Sequence, residues 1–150
     1  NPFVPPFKSR VLQMEKKIDA GAQFIQTQYC FDMPMLKAFM SEAVDKGLME
    51  RAFILPGVGT LASARTAKWM RSNVPGVHIP DSVIKRLEGA ENQKKEGQKI
   101  CVELMQQVKE LEGVSGVHVM AYKQEQYVAE MVKDSGVLGD RQPWAPKNEY

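Results

Sequence analysis

The stretch Phe24-Ile25-Gln26-Thr27-Gln28-Tyr29-Cys30-Phe31-Asp32 constrains the fold of this chain more than any other. Phe24, Ile25, Thr27 and Tyr29 are β-branched or aromatic and read as a short buried strand. Asp32 is placed to cap a helix that follows with almost no spacer, and Pro34 falls in that helix's first turn. A strand that runs straight into a helix opens a crossover unit, which returns to a parallel neighbour. In parallel architectures ligands meet the chain at the carboxyl ends of the strands. Gln28 stands at that end. Its amide has two donors and one acceptor oxygen, so it can read a ligand that presents both kinds of group. A rim residue bonded to a neighbouring loop is the plainer account of the same glutamine.

The alternation continues along the chain. Val11, Met14 and Ile18 predict a helix from about Lys8 to Ala20, closed by Gly21. Leu36, Phe39, Met40, Ala43 and Val44 predict an amphipathic helix from Met33 to Lys46, ended by Gly47. Arg51 to Pro56 reads as the second strand and Gly57-Val58-Gly59-Thr60 as its loop. The glycine spacing is not that of a dinucleotide fingerprint. A helix is expected from Leu61 to Ser72, a short one capped by Asp81, and a long one from Gln98 to Glu112. Val117 to Tyr122 reads as the third strand, and Lys123-Gln124-Glu125 as the opening of a last helix that stops at Gly136. Residues 1–7 are proline-rich, and residues 139–150 form a polar tail with Pro143, Trp144 and Pro146, which leaves 1–138 as one unit. Parallel strands alternating with helices make an α/β chain. With a further strand expected upstream, this is the C-terminal half of a TIM-type (β/α)8 barrel. A doubly wound sheet competes with it, and a half barrel leaves sheet edges to be covered.

Charge and cysteine content narrow the partners. Twenty basic residues against 18 acidic give a net charge of +2, which is no footprint for nucleic acid. No apolar run approaches the roughly 20 residues that cross a bilayer. Cys30 and Cys101 lie far apart, and with His78 and His118 they form no metal-ligand spacing. They read as buried free thiols of a reducing compartment, and the two histidines as structural. A cytoplasmic protein is the expectation.

The nonapeptide resembles the strand motif of the methylenetetrahydrofolate reductase family. The preceding Lys16-Lys17-Ile18-Asp19-Ala20-Gly21-Ala22 is similar to that family's helix and turn. Pro56-Gly57, Val77-His78-Ile79-Pro80, Leu87-Glu88-Gly89 and Gly116-Val117-His118 follow in the family's order, up to about Leu138. The resemblance implies a barrel that carries FAD. The flavin takes a hydride from NADH or NADPH and passes it to 5,10-methylenetetrahydrofolate, giving 5-methyltetrahydrofolate. It implies that Gln28 holds the folate pterin, with Leu61 and Gln124 as further substrate contacts. It assigns Lys17, Lys16, Gln13 and Asn1 to the cofactor. Three positions depart from the family pattern. Arg10 stands where an acidic cofactor contact is expected, Ala64 (with Leu61 the nearest bulky residue) where an aromatic is expected, and Gln124 where a basic residue is expected. The family's catalytic acid and main flavin loops lie in the other half of the barrel, so the 150-residue piece alone is expected to be inactive. That other half and a homo-oligomer or reductase complex are the implied partners, with no metal. A non-catalytic relative that serves as an assembly module, or an unrelated α/β binding domain, are the alternatives.

Overall fold

The computed structural model describes residues 7–142. Asn1 and the Trp144 tail fall outside that range. The elements are α1 (Phe7–Asp19), β1 (Phe24–Tyr29), α2 (Met33–Asp45), β2 (Phe53–Gly59), α3 (Ala64–Asn73), α4 (Asp81–Glu88), α5 (Gln93–Lys109), β3 (His118–Met120) and α6 (Val128–Ser135). Single 3-10 turns at Leu48–Glu50 and Glu125–Tyr127 lead into β2 and α6. The three strands form one parallel sheet in the order β1-β2-β3. The alternation of parallel strands with helices is therefore present.

Local chemistry sets most boundaries where the sequence places them. Asp32 caps α2, its carboxylate accepting the Met35 N–H at 2.9 Å. Gly47 takes the left-handed conformation just after that helix, at φ 64°, where a side chain would be strained.

Six features differ from the sequence reading. β2 runs on through Gly57-Val58-Gly59 instead of ending at Pro56. The two glycines belong to the strand because neighbours occupy the space a side chain would need. A Cβ at Gly57 would come within 2.5 Å of Met120 Cε, and one at Gly59 would strike the Tyr29 ring and the Met120 carbonyl. α3 starts at Ala64, not Leu61, because Ser63 caps it by accepting the Thr66 N–H. α5 starts five residues earlier than expected, with Asn92 as its cap and Gly97 inside it. Lys123 and Gln124 precede the last helix, β3 is only three residues long, and Asp81 is a first-turn residue bonded to Arg71, with Pro80 in the cap position.

Pro56 lies in the central strand and has no N–H for the ladder. The pairing adapts opposite it. The register runs Gln26↔Leu55 and then Tyr29↔Gly57, so β1 holds one extra residue there, a bulge. The Thr27 hydroxyl accepts the Gly57 N–H at 2.9 Å in place of a backbone partner. This bulge contains Gln28.

Helices cover one face of the sheet, and among the described residues the amino end of the other face is exposed. Ile54 and Val58 are buried in the core with Val11, Leu36, Met40, Leu87, Met105 and Val108. Phe24 and Phe53, paired in register and hence on the opposite face, are 59% and 66% exposed. Outside the core, Arg86 ties α4 to α5 through Glu96 and a two-pronged pair with Glu103.

Candidate functional site

A cavity of about 790 Å³ opens at the carboxyl ends of the strands. Its floor and one wall come from the strand ends: Tyr29, Thr60, and Tyr122, Lys123 and Gln124. The other wall is α3, through Arg65, Thr66, Trp69 and Met70, with Lys94 from the first turn of α5. The two helices are locked together at their starts, because Gln93 Oε1 accepts the Ala64 N–H at 2.9 Å. Gly97 lets α5 sit directly on the backbone of Leu61, where any Cβ would collide with the Leu61 carbonyl oxygen. The Thr60–Ala62 turn is thereby held between strand and helix.

The polar groups inside the cavity are unusual for a protein interior. Thr60 is 8% and Gln124 5% exposed, yet Thr60 Oγ1 and Gln124 Oε1 are buried with no hydrogen-bond partner among the described residues. Buried polar atoms are nearly always satisfied, and leaving one unmade costs roughly 1–3 kcal/mol. Two such oxygens in one cavity are poised for donors that a ligand brings. Aromatic surface surrounds them. Tyr29 stacks on Phe31 with centroids 5.6 Å apart, and Trp69 and Tyr122 are exposed at the rim. Burial raises the Tyr29 phenol above its ordinary value, with a smaller contribution from Cys101, so it stays a neutral donor and acceptor.

Three cations stand at the same rim. Lys94 Nζ lies 3.1 Å from the Tyr127 hydroxyl and 4.5 Å above that ring. The ammonium lowers the Tyr127 pKa by its hydrogen bond, with a second bond from Gln126 adding to the effect. Lys123 lies 5.3 Å over the Tyr122 ring. It is also the only non-glycine residue with positive φ, 56°, among the described residues. The Glu125 carboxylate, which accepts the Lys123 N–H at 3.0 Å, holds that bend. Arg65 makes no ion pair or hydrogen bond among the described residues.

Of the residues singled out in the sequence, Gln124 alone lines this cavity. Leu61 is fully buried between Thr60 and Ala62, outside the lining. Gln28 sits one residue before Tyr29, and its Oε1 accepts the Tyr29 N–H at 3.0 Å. Its carbonyl oxygen is thus spent on the bulge, and its amide nitrogen has no partner among the described residues. Cys30 and Cys101 are buried free thiols, raised to about 11 and about 12, in both cases chiefly by burial. His78 Nδ1 pairs with Asp32 at 3.0 Å, and His118 is a half-buried strand residue with an unpartnered Nδ1. No group of three or more His, Cys, Asp or Glu that could hold a metal occurs among the described residues.

Of the residues assigned to a cofactor, the described ones, Lys17, Lys16 and Gln13, lie elsewhere. Lys17 borders an open recess of about 610 Å³ with Gly21, Phe24 and Gln26, beside the amino end of β1. The strands are parallel, so this is the opposite end of the sheet from Gln124. Gln13 Oε1 is held by Arg10 at 2.9 Å, and Lys16 is on the exposed side of α1. A flavin dinucleotide needs a cradle for its diphosphate and a slot for its ring. One ammonium in an open recess supplies neither, so the described residues do not build a flavin site and no step is assigned through one.

The rim residues Thr60, Arg65, Trp69, Lys94, Tyr122 and Lys123 were missed by sequence reasoning. One signal was available. Had β2 been extended through its glycines, Thr60 would have fallen at a strand's carboxyl end beside Gln28 and Gln124.

Comparison with known proteins bears on the family and the fold. Residues 2–136 match the family model described as methylenetetrahydrofolate reductase. The whole chain aligns at 24% identity with a probable methylenetetrahydrofolate reductase (NADPH) of Caenorhabditis elegans, of which it spans 23%. The fold matches an uncharacterised protein from Clostridium thermocellum that binds two copies of 5-methyl-5,6,7,8-tetrahydrofolic acid. That match has a TM-score of 0.61 at 17% identity and covers 85% of this chain and 47% of the other. No helix among the described residues is long and apolar enough to cross a membrane. With residues 2–136 matched by that model and a parallel α/β sheet in the described residues, the chain belongs to the methylenetetrahydrofolate reductase family.

Proposed function

We propose that this chain grips the folate in a reductase that converts 5,10-methylenetetrahydrofolate to 5-methyltetrahydrofolate. The observation that carries the reading is the pair of unpartnered buried oxygens, Thr60 Oγ1 and Gln124 Oε1, in the cavity at the strand ends. A reduced pterin presents a row of N–H donors and ring acceptors, and burying it there would satisfy both oxygens. The free amide nitrogen of Gln28 adds a donor next to the same mouth. Tyr29 and Trp69 offer aromatic surface for ring packing. Folate binding by the Clostridium thermocellum protein supports the choice of ligand.

On this reading the chain is the C-terminal half of a (β/α)8 barrel. The rest of that barrel, covering Phe24 and Phe53, holds the FAD and supplies the acid. NADPH is the donor favoured by the name of the worm relative. The chemistry then needs two parts of one protein, and this part contributes the orientation of the folate ring rather than the electrons. Orientation at near-contact distance is itself a large share of hydride-transfer catalysis.

The test titrates 5-methyltetrahydrofolate into the full-length protein by isothermal calorimetry. Binding that weakens about tenfold or more in Gln124→Leu, with the fold retained, supports the reading. Absence of binding by the folded wild type would remove it. Anaerobic bleaching of bound flavin by NADPH, with reoxidation by methylenetetrahydrofolate, tests the reductase half separately.

A further inference from the structure

Thr27 precedes Gln28 in the bulge of β1, and its hydroxyl joins groups from two strands. It accepts the Gly57 N–H of β2 at 2.9 Å and donates to the Gln28 backbone carbonyl, also at 2.9 Å. A hydroxyl carries one proton and two lone pairs, so it does both at once. The Cys30 thiol stands 3.2 Å from the same hydroxyl and 3.1 Å from the same carbonyl. The Cys30 N–H in turn donates to the Gly57 carbonyl at 2.9 Å. Thr27 is 8% and Cys30 1% exposed, so this ring of bonds is largely shut off from water. The backbones are as close as the bonds imply. A Cβ at Gly57 would lie 2.7 Å from the carbonyl oxygens of both Thr27 and Gln28.

The consequence falls on Gln28. Its backbone carbonyl is held by Thr27, and its side-chain Oε1 by the Tyr29 N–H. An N–H bonds only to the oxygen of an amide, so the amide's orientation is set and its nitrogen is left to donate elsewhere. A bulge disrupts the ladder locally, and the residues in it depend on other bonds to hold their shape. We propose that Thr27 is a positioning residue for the ligand: its hydroxyl stands in for the ladder bond lost at Pro56, closes the bulge, and so holds the Gln28 amide with its nitrogen free. This rests on the proposed folate reading, in which that nitrogen is a donor to the ligand. Thr27 itself lies outside the cavity lining and acts through Gln28. Valine at 27 would keep the branched shape that suits a strand but would leave the Gly57 N–H and the Gln28 carbonyl without the hydroxyl. Serine would keep the oxygen.

The experiment is a double-mutant cycle on the full-length protein, read by calorimetric titration of 5-methyltetrahydrofolate and by denaturant melts. Thr27→Val should weaken binding about tenfold, and Thr27→Ser should bind within about twofold of wild type. In a Gln28→Ala background, Thr27→Val should change binding by less than about twofold, because the group it positions is gone, while its effect on the melts stays the same. A hydroxyl with a structural role alone would weaken binding equally in both backgrounds. If Thr27→Val does not fold, Thr27→Ala, which leaves room for a water, replaces it in the cycle. Unchanged binding in Thr27→Val, equal losses in the two backgrounds, or serine binding no better than valine overturns the proposal and leaves the folate reading intact. So does a Gln28→Ala protein that binds as tightly as wild type. Absence of binding by the folded wild type overturns both.

Discussion

At the residue scale, the proposed function rests on polar atoms that the fold leaves unfinished. The Thr60 hydroxyl is buried and unpartnered. Thr60→Val replaces it with a methyl group of nearly the same shape, so the empty protein should gain on the order of 1 kcal/mol. The same change should weaken 5-methyltetrahydrofolate binding. Paired thermal melts and titrations check this, and a variant that is both less stable and equally tight would show a structural hydroxyl. The thiols behave oppositely. Burial lifts Cys30 to about 11 from an ordinary 9.0, and Cys101 to about 12. The unfolded chain loses these protons first as pH rises, so the stability they contribute is full below pH 9.0 and falls away as pH climbs towards about 11 for Cys30 and about 12 for Cys101. Native protein should react slowly with a thiol reagent at pH 8 and quickly in denaturant. Rapid labelling of native Cys30 would show that the strand end opens.

At the scale of elements, the mouth depends on close contact between α5 and the turn after β2. Gly97 is mid-helix, where alanine is ordinarily favoured by about 1 kcal/mol. Here the added methyl would collide with the Leu61 carbonyl. Gly97→Ala should therefore destabilise the protein by roughly 1–3 kcal/mol, the usual range for overpacking. It should also weaken folate binding, since Leu61 lies between Thr60 and Ala62, which line the cavity. Denaturant melts and the same calorimetric titration check both effects, and a stabilised variant would place Leu61 elsewhere. Sequence reasoning could not see this glycine's role. Its neighbours are charged and polar, and the apolar periodicity that marks the long core-facing helix starts only at Gln98. In the structure the helix begins at Gln93, where Asn92 caps it and Gln93 closes the start of α3.

At the scale of the molecule, the sheet of the described residues exposes the amino end of one face, and β1 and β3 are its edge strands. Phe53 shows the consequence. In the isolated chain, Phe53→Ser should lower self-association, measured by sedimentation, with little change in melting temperature, because the ring is already 66% exposed. In the full-length protein the same change should cost about 3–5 kcal/mol, the range for removing a buried aromatic. A full-length protein indifferent to it would leave the half barrel without support. By itself the sequence determined the alternation of parallel strands and helices, the Asp32 cap and the placing of Gln28 and Gln124 near strand ends. Each of these is fixed by local periodicity, capping chemistry or a motif. Only the tertiary structure decided that Gly57 and Gly59 are strand residues, that Gln28 sits in a bulge forced by Pro56 on the next strand, and that Arg65, Lys94 and Lys123 share one cavity with Thr60 and Gln124. Those facts depend on which atoms lie across from a residue in space, and a linear pattern holds no such distance.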